Sequence, residues 1–216
     1  MSIWEKILYK GQSSFNGEVK VTENQGTRRL VASGFTQSQS LRADGLTGLA
    51  YWDNMVPGDL SLNSDSRVLI LGLAGGTVAK IITNRFGKMI IDGVEIDPLM
   101  VELGKKFFFL NEPNLNINII DAASFVKEAR FKYDLICLDI FMGGVVPKEF
   151  EKIEFMEGVR QVLKDDGVLA INKIFSGKEE LFNFEEFVKR IFPVTYSKVV
   201  RGDPKLDNVI VYARKL

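Results

Sequence analysis

The stretch Val68–Asp97 constrains this chain more than any other. It opens with VLILGLAGGT and closes with KMIIDGVEID. Four apolar residues, Val68 to Leu71, run into Gly72, Gly75 and Gly76, the pattern of a buried parallel strand that turns abruptly into a helix. Glycine suits such a turn because it takes unusual dihedrals and puts no Cβ between backbone and ligand. The three glycines are therefore expected to present amides to a ligand at a helix N-terminus. A second apolar run, Met89 to Val94, delivers Glu95 about twenty residues later, where nucleotide-binding folds hold a ribose. Its two carboxylate oxygens can accept from the two ribose hydroxyls. A Gly-rich turn alone also fits a ligand-free corner; turn, spacing and acid together point to a nucleoside site.

The totals narrow the partners. Lys+Arg and Asp+Glu are both 28, so the formal charge is zero, and no polybasic tract calls for a nucleic acid or a membrane surface. No apolar run approaches the length of a membrane span, and MSIWEKILYKG lacks a signal-peptide core, so a cytoplasmic protein is expected. The 216 residues suffice for one core domain, placed at 61–216, plus a small appendage at 1–60. Histidine is absent, which removes Ser-His-Asp and Cys-His catalysis, imidazole shuttling and His-ligated zinc. The single cysteine, Cys137, lies in the apolar strand YDLICLD and reads as a buried thiol. No metal is expected, and proton transfer falls to Asp, Glu, Lys, Tyr or water.

Residues Trp4 to Ser33 alternate apolar and polar in short runs punctuated by Gly11, Gly17, Asn24-Gln25-Gly26 and Gly34, which predicts a β-hairpin arm that builds an oligomer. Gln37 to Gly48 is polar and turn-rich, a loop or hinge, and LAYWDNMVPGDL predicts a short helix. From Arg67 strand and helix signals alternate: strands at 68–72, 89–95, 115–120, 133–138 and 168–172, with helices at 77–86, 98–110, 122–130, 147–164 and 178–192. Two strands near 195–200 and 208–213 finish the chain. The pattern is a doubly wound α/β sheet with a final hairpin, whose ligands bind outside the C-terminal ends of the strands.

Gly72, Glu95, Asp121 and Asp139 all fall at those ends. Asp121, followed by the small Ala122-Ala123, could accept from an adenine amino group or cap the helix that follows. Asp139 enters a Gly-Gly loop and could bind or deprotonate an amine, or cap that loop. Asn16, Gln37 or Gln39, Tyr51 and Asp53 would line the acceptor side if the arm folds over the crevice. Phe107, Phe108 and Phe109 read most simply as core.

At this point the residues resemble the spermidine synthase family, the polyamine aminopropyltransferases. SSFNGEVKV with TRRLVASGFTQS is similar to the family's N-terminal strands, LAYWDNM to its Tyr-His-Glu-Met helix, and VLILGLAGGT to its strand and GGGDGGT turn. GVEID, IIDAASFV, YDLICLD and LKDDGVLAIN follow in the family's order. The GVEID and Asp121 matches are shared with S-adenosylmethionine methyltransferases; the N-terminal match singles out this family. The resemblance implies a Rossmann-like sheet of the class I methyltransferase type, and S-adenosylmethionine or its decarboxylated form as co-substrate. It implies that Glu95 holds the ribose, that Asp121 with Ala122 holds the adenine, and that Gln37 reaches the nucleoside from the arm. Asp139 would be the base toward the attacking amine, with Tyr51 and Asp53 on the substrate side and a homodimer built through the arm. Ala74 stands where the family's turn carries an Asp, Met142 where Asp-x-x-Asp has its second acid, Trp52 where a His is usual, and RGDPKLDN replaces the C-terminal aromatic segment. Charge-assisted contacts are worth about 1.5–3 kcal/mol each, so losing two weakens polyamine capture on the order of a hundredfold. Methyl transfer and a non-catalytic nucleoside-binding protein are the alternatives.

Overall fold

Alternating side chains of the central strands divide the molecule into layers. The computed structural model describes residues 5–48, 51–142, 144–203 and 206–215. Trp4, Leu49, Ala50, Gly143, Pro204 and Lys205, which the sequence assigns to the arm, the short helix, the Gly-Gly loop and the C-terminal segment, lie outside the described residues.

The arm is a four-stranded antiparallel meander, β1 (Lys6–Ser13), β2 (Gly17–Asn24), β3 (Thr27–Ala32) and β4 (Phe35–Gln39). Its last two turns place Gln25-Gly26 and Ser33-Gly34 at positive φ, the paired left-handed geometry that matches strand twist in tight hairpins. Two expectations need correction. Gln37–Gln39 belong to β4 and not to a loop, because their backbone pairs with Leu30 and Arg29. Gly11 lies within β1, under the Tyr9 ring, and marks no turn.

Seven strands form the main sheet in the order β10-β11-β9-β8-β5-β6-β7. The parallel set is β5 (Arg67–Leu71), β6 (Ile90–Glu95), β7 (Leu115–Ile119), β8 (Tyr133–Leu138) and β9 (Leu163–Ile174). β10 (Val194–Asp203) and β11 (Leu206–Arg214) form the closing antiparallel hairpin on β9. Strand β9 starts earlier than its apolar run suggests, at Leu163. The register jumps over Lys164–Gly167, and Asp166 takes a φ of 63°.

Helices α1 (Thr77–Phe86), α2 (Pro98–Phe108), α3 (Ala122–Glu128), α4 (Ile153–Val162) and α5 (Lys178–Lys189) connect the strands. The segment expected as one helix from Pro147 is a 3-10 turn, Lys148–Glu151, followed by α4 after Lys152 adopts an extended backbone. Within LAYWDNM, the described residues Tyr51–Asn54 form a 3-10 turn.

Leu69, Leu71, Ile136 and Leu138 point to one face of the sheet with α3, α4 and α5, while Val68, Ile70, Leu135 and Cys137 point to the other with α1. Period-two alternation in strands buried on both faces produces that division. The arm lays Val19, Val21, Leu30 and Ala32 on Met100, Leu103 and Phe108 of α2. Of the three phenylalanines expected in the core, only Phe108 is fully buried. Phe109 ends the helix with a φ of 55° and is 67% exposed, and Phe107 packs partly buried near Tyr9. No helix among the described residues is long and apolar enough to cross a membrane.

Candidate functional site

The order β8-β5-β6-β7 sets Asp139, the glycine turn, Glu95 and Asp121 side by side along one sheet edge. Neighbouring strands are about 4.8 Å apart, so the ends of β8 and β6 lie roughly 10 Å from one another and β7 one spacing further. A cleft covers these ends. Gly72 and Ala74 line it from the turn, Glu95 and Ile96 from β6, and Asp121 and Ala122 from the start of α3. Asp139 to Met142 line it after β8, Glu149 and Phe150 from the 3-10 turn, and Phe15, Asn16 and Gln37 from the arm.

Glu95 is 8% exposed. One carboxylate oxygen accepts from the amide of Ala74 at 2.8 Å and the other from the amide of Asp97 at 3.0 Å. Burial raises its pKa above the ordinary carboxylate value, and these amides oppose that rise. Each oxygen keeps one lone-pair direction for a further donor. Of the roles open from the sequence, the helix cap is made by Asp121. It caps α3 by accepting from the Ser124 amide at 2.8 Å, and it also lines the cleft.

The glycine turn works by shape and not by donated amides. The N–H groups of Gly72 and Leu73 bond the Val94 carbonyl at 3.0 and 2.9 Å, that of Gly75 bonds the Ser38 hydroxyl at 2.8 Å, and that of Gly76 bonds the Leu73 carbonyl at 2.9 Å. The expectation that these amides face a ligand is thus corrected: the arm, strand β6 and the turn itself already occupy them. Glycine is required at Gly72 for another reason. Its φ is 93°, and a Cβ there would lie 2.1 Å from the Asp139 carbonyl oxygen.

Asp139 is gripped from two sides. The Tyr51 hydroxyl donates to one oxygen at 3.0 Å and the Asn172 amide to the other at 2.8 Å. Asn172 in turn accepts from Asn208 at 3.0 Å. Burial pushes the Asp139 pKa up to about 6, with the two hydrogen bonds pulling it down. Burial and the nearby Asp139 charge hold the Tyr51 phenol well above its usual pKa, so it stays a donor at neutral pH. Cys137, two residues earlier on the strand, is fully buried and its thiol is pushed upward too, as expected of an inert core thiol.

Other expected residues are elsewhere. Asp53 accepts from the Thr47 amide and hydroxyl at 2.8 and 2.7 Å and from the Gly48 amide at 2.9 Å, so it clamps its own loop and does not line the cleft. Gln39 bonds Thr77 and the Thr47 carbonyl, leaving Gln37 as the arm glutamine on the cleft. Trp52 is 4% exposed inside the α1-side core and stacks on Tyr51 at 4.5 Å between centroids.

Three contributors escape the sequence reading. Asp97 is 2% exposed and accepts from Ser13, from Asn16 at 2.7 Å and from the Leu99 amide at 3.0 Å, so one carboxylate both caps α2 and ties the first hairpin to the cleft. Its place before Pro98 is a legible helix start; its partners, 81 and 84 residues distant, are not. The sequence marks Asn172 only as the end of a strand. Glu149 carries no local signal at all.

Residues 56–212 match the model of the spermine/spermidine synthase domain. A polyamine aminopropyltransferase of Vibrio vulnificus is 28% identical over 190 residues, which is 82% of this chain and 62% of that protein, so the chain spans less than two thirds of this relative. The structure of human methyltransferase-like protein 13 in complex with SAH is similar with a TM-score of 0.62 at 26% identity, over 70% of this chain and 72% of that one. The spermidine synthase of Thermotoga maritima shares the fold with a TM-score of 0.74 at 20% identity, over 96% and 72% of the two chains. The chain belongs to the spermine/spermidine synthase domain family.

Proposed function

We propose that this chain is a transferase that moves an aminopropyl-type group from an adenosine sulfonium donor to an amine. The observation that carries this reading is the charge of the cleft. Glu95, Asp121, Asp139 and Glu149 line it, and among the described residues no Lys or Arg does. A sulfonium donor and an amine acceptor are both cationic, and such a lining attracts both. The residues fit a nucleoside: Glu95 keeps lone pairs for the ribose hydroxyls, and Asp121 beside the small Ala122 suits an adenine amino group.

Decarboxylated S-adenosylmethionine fits better than the intact form. A donor carboxylate would find the amides of residues 72–76 already bonded and, among the described residues, no cation in the lining. A second reading, methyl transfer from S-adenosylmethionine, is favoured by Ala74, which offers no counter-charge to an aminopropyl ammonium, and by the likeness to a methyltransferase solved with SAH.

The donor's positive sulfur supplies the leaving group, so the protein needs to align the amine and take its proton. Asp139 would receive that proton. A pKa of about 6 leaves it ionised at neutral pH and still close enough to accept. Tyr51 and Asn172 hold its two oxygens, and Gln37 and Asn16 close the cleft from the arm. Residues 1–60 serve as arm and linker to a nucleoside-binding domain at 61–216. The exposed Ile7, Phe15 and Phe35 of the arm suit a homodimer, and one unpaired buried cysteine suits the cytoplasm.

Calorimetry with decarboxylated S-adenosylmethionine, S-adenosylmethionine and methylthioadenosine tests the reading. Tighter binding of the decarboxylated donor supports aminopropyl transfer, and tighter binding of the intact donor supports methyl transfer. No binding of any of them refutes the transferase and leaves a non-catalytic protein. Glu95→Ala is expected to weaken nucleoside binding at least a hundredfold, or about 2.7 kcal/mol.

A further inference from the structure

We propose that the acceptor is an amine with a single positive charge on an apolar alkyl or aryl body, and that the site turns away diamines and polyamines. This rests on the transferase reading but holds for either donor. It follows from what surrounds Asp139 on the flank away from the nucleoside.

The sheet order sets that flank. β6 and β7, with Glu95 and Asp121, lie on one side of β5; β8 and β9 lie on the other. An amine that reaches Asp139 while the sulfonium lies above β5 must therefore extend over the segment leaving β8 and toward β9. That segment is Ile140, Phe141 and Met142, all lining the cleft, with Phe150 packed near Ile140. Met142 is held in place, because its N–H and carbonyl exchange bonds with Val145 at 2.9 and 3.2 Å. Gly144 of the same hairpin lies so close under Phe35 that a Cβ there would approach the ring to 2.4 Å. Met142 and Val145 remain 44% and 68% exposed, an apolar lip at the mouth.

On the β9 side stands a cation. Lys173 is 8% exposed and pairs with Glu151 and, at 3.7 Å, with Glu180. Its ammonium lies 4.9 Å from the Phe184 ring centre and 5.3 Å from that of Phe175. It lines a small apolar cavity that shares Ile140 and Phe150 with the main cleft. Glu151, the acid lining that cavity, is therefore paired with a buried positive charge, and Glu180 is held by the Ser176 amide and hydroxyl at the surface. Glu149, the other acid lining the cleft on this side among the described residues, is solvent-exposed, where water screens it.

A monoamine gives its one charged end to Asp139, Tyr51 and Asn172 and lays its body on Ile140, Phe141 and Met142. Its nitrogen lone pair forms the new N–C bond, the C–S electron pair returns to sulfur to give a neutral thioether, and the amine proton passes to Asp139. A second ammonium on the same chain would be set against these apolar side chains, giving up part of its water without gaining a partner.

The test compares n-hexylamine with 1,6-diaminohexane, equal in length, using the donor that calorimetry selects and chromatographic detection of the released thioether nucleoside. The expected result is a kcat/KM at least about tenfold higher for hexylamine, equal to about 1.4 kcal/mol. Met142→Asp is expected to reduce or invert the ratio and Met142→Leu to keep it. Three outcomes would overturn the inference: preference for the diamine, a ratio unmoved by Met142→Asp, or a bound donor with neither amine consumed. Failure of every donor to bind would instead bring down the transferase reading, and this inference with it.

Discussion

Replacing Asp139 with asparagine separates what this carboxylate costs from what it does. Its pKa rises from 3.8 to about 6 on folding, mainly through burial. A raised acid pKa means that the folded state favours the protonated form. The associated stability is fully present below pH 3.8 and is lost as pH rises through about 6. At 1.36 kcal/mol per pH unit the loss amounts to about 3 kcal/mol at neutral pH. The substituted side chain has no charge to desolvate and keeps an oxygen for the Asn172 amide, while the Tyr51 hydroxyl can turn to accept from the new amide. Asp139→Asn is therefore expected to be the more stable protein at pH 7, by up to about 3 kcal/mol, and the gain should shrink steadily toward pH 4. Urea unfolding of both proteins from pH 4 to 8, followed by the fluorescence of the buried Trp52, measures this. Turnover of the same variant should be lost while nucleoside binding is kept. A stability difference that stays flat between pH 4 and 7 would refute the burial argument, and retained turnover would remove Asp139 as the base.

Further outcomes follow from the same contacts. Tyr51→Phe removes one of the two donors that hold the Asp139 pKa down, so the acid limb of the pH–rate profile should move to higher pH with nucleoside affinity unchanged; an unmoved limb contradicts the contact. Asp97→Ala strips the cap of α2 and leaves the buried Ser13 and Asn16 donors unpaired, at a combined cost of about 2–5 kcal/mol by urea unfolding. A loss under about 1 kcal/mol would show that the arm does not depend on this carboxylate.

The parallel sheet is legible because strands buried on both faces must be apolar nearly throughout, and Val68–Leu71 and most of Tyr133–Leu138 are. Strand ends then place Glu95, Asp121 and Asp139 along one edge with no knowledge of side-chain positions. Local signals fail where a distant partner decides. Asp53 shows this: the chemistry of a substrate-facing acid and of a loop clamp is the same, and only the Thr47 and Gly48 amides distinguish them. The glycine turn shows it again, since groups that consume its amides come from Ser38 of the arm and Val94 of the next strand. Phe109 departs from expectation because a helical apolar run predicts burial up to its end, whereas the left-handed cap turns the final ring into solvent.

The account depends on an adenosine lying across the ends of β6 and β7. A crystal structure of the chain soaked with methylthioadenosine tests that most directly. The ribose hydroxyls are expected within hydrogen-bonding distance of the Glu95 carboxylate, and the adenine amino group at Asp121. Density for the nucleoside anywhere else, with Glu95 bonded only to the Ala74 and Asp97 amides, would contradict it.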